Sequence, residues 1–153
     1  MTLVNQIQGF LNQVQQFRVV SQMELATTVQ NELIPNTINI PGCEAVSYFK
    51  SSSEVSGDYF DVFSNKNDHW IVFGDVSGHG LEAGLVMFMV QSIFSTLIHK
   101  ANIVDPAKLN EAANMILCSN FERLKNPRPM TIATLYTDDG QTFLVHGSHE
   151  NVF

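Results

Sequence analysis

Apolar residues recur at alternating spacings of four and three at the start of the chain, at Leu3, Ile7, Phe10, Val14 and Phe17. That spacing puts them on one stripe of a helix, with Gln and Asn filling the other faces. The stripe runs for about two heptads, too short to separate an amphipathic helix lying on its own domain from a dimerising or linker helix. The helical pattern continues through Leu25, Val29 and Leu33 and should end at Pro35, because proline disfavours helical backbone in the residue before it. Residues 1–35 therefore read as an N-terminal linker or coiled-coil-like helix, and residues 43–153 as the domain that follows.

Within that domain, residues 45–49, 58–63 and 70–76 are short runs rich in Val, Phe, Tyr and Ile between Ser-, Gly- and Asn-bearing turns, which predicts three antiparallel strands. Residues 81–101 are apolar around much of the helical circumference and predict a buried helix. Asp105 followed by Pro106 is an N-cap with proline at the first helical position, opening a second helix that runs towards Leu124. Residues 130–137 and 141–146 alternate on either side of Asp138, Asp139 and Gly140, the signature of a hairpin.

Charge and composition narrow the partners. With 15 acidic and 8 basic residues the net charge is −7, which argues against a nucleic-acid or anionic-membrane surface, since both need clustered Lys and Arg. The two cysteines, Cys43 and Cys118, lie far apart without CxxC spacing, so neither a disulfide framework nor a thiolate zinc site is expected. No basic segment precedes an apolar core at the N-terminus, and no apolar run reaches the ~18 residues that span a bilayer. The expectation is a soluble, cytoplasmic chain.

Candidate chemistry sits in two turns. EVSGDYFD carries Asp58 and Asp61, and GDVSGHG carries Asp75 at the end of an apolar strand between glycines. Aspartate often does no more than cap a turn, and either residue alone would be read that way. Two carboxylates from different strands, without thiols, suit a hard cation such as magnesium or manganese, and a backbone carbonyl near Gly78 could add a ligand. The glycine-rich segment before the long helix could also bind an anion through free N–H groups. It is neither a Walker loop, lacking GK[ST], nor a dinucleotide fingerprint, since its spacing differs from GxGxxG.

EVSGDYFD resembles the EVGGDYYD-type motif, and GDVSGHGLEAGLVM the GDVSGHG-x-x-A-x-x-M motif, of the metal-dependent (PPM-type) serine/threonine protein phosphatases of the bacterial stage II sporulation protein E and sigma-factor regulator branch. Upstream, ATTVQNELIP is similar to the helix ending in L-x-P that precedes such domains. Downstream, PMTIATLYTDDGQTFLVHGSH resembles their T-x(n)-AGH hairpin, so the likeness covers roughly residues 22–153.

The resemblance implies an α/β (α+β) fold, an antiparallel β-sandwich flanked by helices. It implies two divalent cations, Mn2+ or Mg2+, with Asp58 a metal ligand, Asp75 the bridging carboxylate, the Val76 carbonyl a further ligand, and Glu54 and Asp61 supporting acids. It implies hydrolysis of phosphoserine or phosphothreonine on a phosphorylated regulatory protein of the anti-sigma-factor antagonist type. His79 and His149 take no catalytic role in this reading.

Two features depart from the pattern. Ser56 stands where the motif has a glycine, and the later aspartates of the family would follow His149, so the domain is expected to be incomplete at its C-terminus. Asp138 lies in the hairpin turn and does not replace them. The alternative function is a catalytically incomplete module that binds a regulatory protein, or a second copy of itself through the Leu3 to Phe17 stripe.

Overall fold

A computed structural model describes residues 3–35, 37–49, 55–101 and 103–149. Helix α1 (Leu3–Leu33) leads into strands β1 (Asp58–Asn65) and β2 (Asp68–Val76), then helices α2 (Leu81–Lys100) and α3 (Pro106–Phe121), then strands β3 (Met130–Thr137) and β4 (Leu144–Ser148). The four strands form one antiparallel sheet in the order β1-β2-β3-β4.

Alternation along the strands sorts the sheet into two faces. Tyr59, Phe63, Trp70, Val72 and Val76 are buried and meet Val86, Met87, Val90 and Phe94 of α2 and Leu109 and Ala113 of α3 in one core. Asp58, Phe60, Val62, Ile71, Phe73 and Asp75 occupy the alternate positions, on the face turned away from α2 and α3. The mixed α/β fold class thus agrees with expectation. Among the described residues there is one sheet with its helical layer, where stacked sheets were expected.

Helix α2 is long and apolar enough to cross a membrane by length and composition, contrary to the sequence reading that no run qualified. Its buried residues, including Val90, Phe94 and Ile98, line the core against the sheet. Helix α3 begins as the sequence predicts: Asp105 is extended, and its carboxylate accepts a hydrogen bond from Ala107 N at 2.8 Å.

The strand expected over 45–49 does not form. Residues 45, 47 and 49 are half-buried and Val46 and Tyr48 exposed, so a strand-like alternation is present without a ladder partner among the described residues. Just before it, Ile40 is buried and bridges Cys43, and a Cβ on Gly42 would lie 2.8 Å from the Asp139 carbonyl oxygen in the β3–β4 turn. Among the described residues, α2 is the one secondary-structure element against which α1 packs.

Candidate metal centre

The β1–β2 register places Asp58 directly opposite Asp75. Directly paired residues of an antiparallel ladder share a face, so both carboxylates project from the same side at one end of the sheet. Val76 N donates to Gly57 O at 3.1 Å, which extends the pairing one residue beyond β1 and brings the loop 55–57 against the end of β2.

Gly57 is required there. A Cβ on it would lie 2.6 Å from the Val76 carbonyl oxygen and 3.2 Å from Asp75 Oδ1. A side chain would fill the space that these two oxygens border.

The electrostatics match that arrangement. Partial burial, and then the negative charge of Asp58, raise the pKa of Asp75, while His149 pulls it down. Two like charges held face to face disfavour the ionised form unless a cation neutralises them.

The donor set is two carboxylates and a carbonyl, all hard oxygen, which fits Mg2+ or Mn2+ and excludes a thiolate-type site. No group of three or more His, Cys, Asp or Glu side chains gathers among the described residues. Magnesium tolerates this, since it commonly binds through one or two carboxylates and keeps several waters.

Asp61 does not join the site. Three residues from Asp58 on the same strand, it points to the helical face, where it accepts hydrogen bonds from Val62 N (2.8 Å), Gln91 Nε2 (3.3 Å) and Tyr59 Oη (3.4 Å). Burial raises its pKa. Glu54 lies outside the described residues. Asp138 is exposed in the turn after β3, at the far end of the sheet from Asp75, which pairs with Thr131 near the start of that strand.

His79 is exposed in the turn before α2. His149 packs edge-on against Phe73 at 5.6 Å, and its Nδ1 is 2.8 Å from Thr131 Oγ1, consistent with a structural role although it borders the site. The other histidines are engaged elsewhere: His69 with Ser64, His99 with Ser95 O and His146 with Asn110.

Sequence reasoning missed Arg128. Its guanidinium pairs with Glu82 in the first turn of α2 and donates to Ser77 O at 3.2 Å. It lies over Gly78, where a Cβ would meet Nη1 at 2.1 Å. A fixed cation thus stands beside the turn that follows Asp75. The only local signal was an arginine between Pro127 and Pro129.

Comparison with known proteins identifies the family. The profile of the stage II sporulation protein E (SpoIIE) family matches residues 65–153, more than half of the chain. The chain belongs to this family, within the PPM-type phosphatases related to sigma-factor regulators. The matched segment contains Asp75 and Val76, and Asp58 lies just ahead of it.

The chain is 27% identical over 117 residues to the phosphoserine phosphatase RsbP of Bacillus subtilis, an alignment covering 74% of this chain and 28% of that protein. It therefore spans about a quarter of that relative's length. The SiaA-PP2C domain of Pseudomonas aeruginosa superposes with a TM-score of 0.67 at 16% identity, over 87% of this chain and 55% of that one. That likeness is one of fold.

Proposed function

We propose that the chain acts in metal-dependent hydrolysis of phosphoserine or phosphothreonine on a cytoplasmic bacterial regulatory protein of the anti-sigma-factor antagonist type. Asp58, Asp75 and the Val76 carbonyl would hold two divalent cations, Mn2+ or Mg2+. The observation that carries the reading is the cross-strand pairing of Asp58 with Asp75 beside the space kept open at Gly57. The name of RsbP, a phosphoserine phosphatase, supports the substrate class.

When bound, a divalent cation supplies an acidified water, its pKa brought from ~15.7 towards ~7, and positive charge for the phosphoryl oxygens. The protein's part is to hold anionic oxygens at a separation set by the β1–β2 ladder, so that no rearrangement is needed during the reaction. Arg128, ion-paired with Glu82, holds the Ser77 carbonyl in the turn that follows Asp75. Hydrolysis forms one P–O bond from water and breaks the bond to the serine oxygen, which leaves as the hydroxyl with a proton.

The test is manganese-dependent phosphate release from a phosphoserine protein. Asp75→Asn is expected to remove it. Equal release by that variant, or release without metal, would sink the reading.

A second reading has its own support: two carboxylates, with no third among the described residues, make a sparse centre. In that reading the chain binds a regulatory protein without turnover. Phosphoprotein binding that survives Asp75→Asn, without release by the wild type, would select it.

Self-association fits either reading. At ~100° per residue, the Leu3, Ile7, Phe10, Val14 and Phe17 stripe falls opposite Gln30, the buried residue of α1, and of the five only Val14 is half-buried. Leu3, Phe10 and Phe17 are largely exposed. A heptad stripe facing away from its own domain is complementary to a second copy of itself.

A further inference from the structure

Gln30 is the one buried residue of α1, at 1% exposure. Its carboxamide is used at both ends on a single residue of the loop before β1: Nε2 donates to Ser56 O at 2.8 Å, and Oε1 accepts from Ser56 N at 3.0 Å. A side-chain amide thus pairs with the loop backbone much as a neighbouring strand would, and it fixes the orientation of the Ser56 peptide groups. A buried amide bonded at both ends is costly to disturb, because either group left unpaired would lose its partner without regaining water.

The next link runs from Ser56 to the metal centre. Ser56 Oγ donates to Asp58 Oδ2 at 2.7 Å and accepts from Asp58 N at 3.1 Å. The hydroxyl therefore ties the Asp58 carboxylate to its own backbone and to the loop that Gln30 holds. The loop is also pinned from α2: a Cβ on Gly84 would lie 2.2 Å from Val55 Cγ1, so Val55 sits directly on the helix backbone. Of the residues in this chain of contacts, Ser56 is the one that departs from the glycine of the motif.

We infer that Gln30 and Ser56 are positioning residues for the metal centre, holding the Asp58 carboxylate in its binding orientation from the N-terminal helix. The inference rests on the metal-dependent reading above. Its physical basis is that an outer hydrogen bond to a ligating carboxylate restricts the rotation that binding must otherwise freeze.

The test uses the 153-residue chain, Mn2+ alone as the probe, and amide hydrogen exchange of the metal-free protein. Gln30→Met keeps the length and removes both bonds. Ser56→Gly removes the hydroxyl and keeps the backbone clamp. Mn2+ affinity is expected to fall about 10- to 100-fold in Ser56→Gly, which loses the bond to the Asp58 carboxylate, and in the same direction by less in Gln30→Met. Exchange at the Asp58 amide should accelerate in both variants, and at the Ser56 amide in Gln30→Met alone.

Leu117→Ala, in the core away from the site, is the control for general destabilisation and should leave Mn2+ affinity where it was. If Gln30→Met unfolds at lower temperature, as Leu117→Ala does, yet binds Mn2+ like the wild type, Gln30 is only an anchor for α1 and the inference fails. If the wild type binds Mn2+ no better than Asp75→Asn, the metal reading itself fails and takes this assignment with it.

Discussion

Helix α1 has 31 residues, of which one is buried, and that one is a glutamine. Helix α2 has 20, of which seven are buried: glycine, alanine and larger apolar residues, with no polar side chain among them. Both sequences carry many apolar positions, but α2 spends them on the sheet, whereas α1 leaves Phe10, Phe17 and Leu25 largely exposed. Apolar content alone therefore does not say which helix belongs to a core. What separates them is that α2 is apolar around most of its circumference, whereas α1 interleaves its apolar residues with Gln and Asn and leaves most of them exposed.

The sharpest way to break this contrast is to make the same deletion on both helices. Phe94→Ala removes a fully buried ring that packs against Tyr59 at a centroid distance of 6.3 Å. It is expected to cost about 3–5 kcal/mol in denaturant unfolding. A loss under about 1 kcal/mol would mean that α2 is not the core helix described here.

A smaller effect tests the polar seam beneath α2. Burial raises the Asp61 pKa in the fold, so the folded state holds that proton more tightly than the unfolded chain does. The resulting stability is fully present below the unfolded value of ~3.9 and is lost as pH rises through the raised folded value. Asp61→Asn should flatten this segment of the stability–pH curve. A variant with the same slope as the wild type over that window would show that Asp61 does not titrate differently in the fold.

The smallest effect on stability is expected from Phe10→Ala, within about 0.5 kcal/mol, because Phe10 is 63% exposed. Its consequence should instead appear in association: sedimentation should show a weaker dimer than the wild type. A monomeric wild type, or a dimer indifferent to Phe10, would remove the assignment of the stripe to a second copy.

Much of the fold was legible in the sequence where one residue's neighbours decide the matter. The Asp105–Pro106 cap predicted the start of α3, and the alternation in 130–137 predicted β3, because caps and strand faces depend on residues a few positions away. The end of α3 at Phe121, short of Leu124, and the start of β4 at Leu144, later than Gln141, show how weakly boundaries are specified. Residues 45–49 carry the alternation of a strand and do not form one. Alternation reports that a segment has two faces, whereas a strand also needs a partner's N–H and C=O groups, and no local pattern supplies those.

For the candidate site, the family resemblance pointed to Asp58, Asp75 and Val76, and residue types alone went only as far as two carboxylates suited to a hard cation. Asp61, close in the same motif and by resemblance a supporting acid, belongs to the opposite face of the sheet, as the period of two along a strand requires. Arg128 could not be found locally, because it reaches the turn after Asp75 only once the chain returns from α3 towards β3.

By itself the sequence determined most of the kinds of element and the hard-oxygen character of the candidate donors, because these follow from short-range patterning and from the donor atoms each residue carries. Tertiary structure alone decided that Asp58 stands opposite Asp75, that one glutamine among the many of α1 is buried on Ser56, and that the apolar stripe of α1 is left outside. Register, burial and long-range hydrogen bonds are set by which segments meet, and that depends on the free energy of the whole packed chain rather than on any window of it.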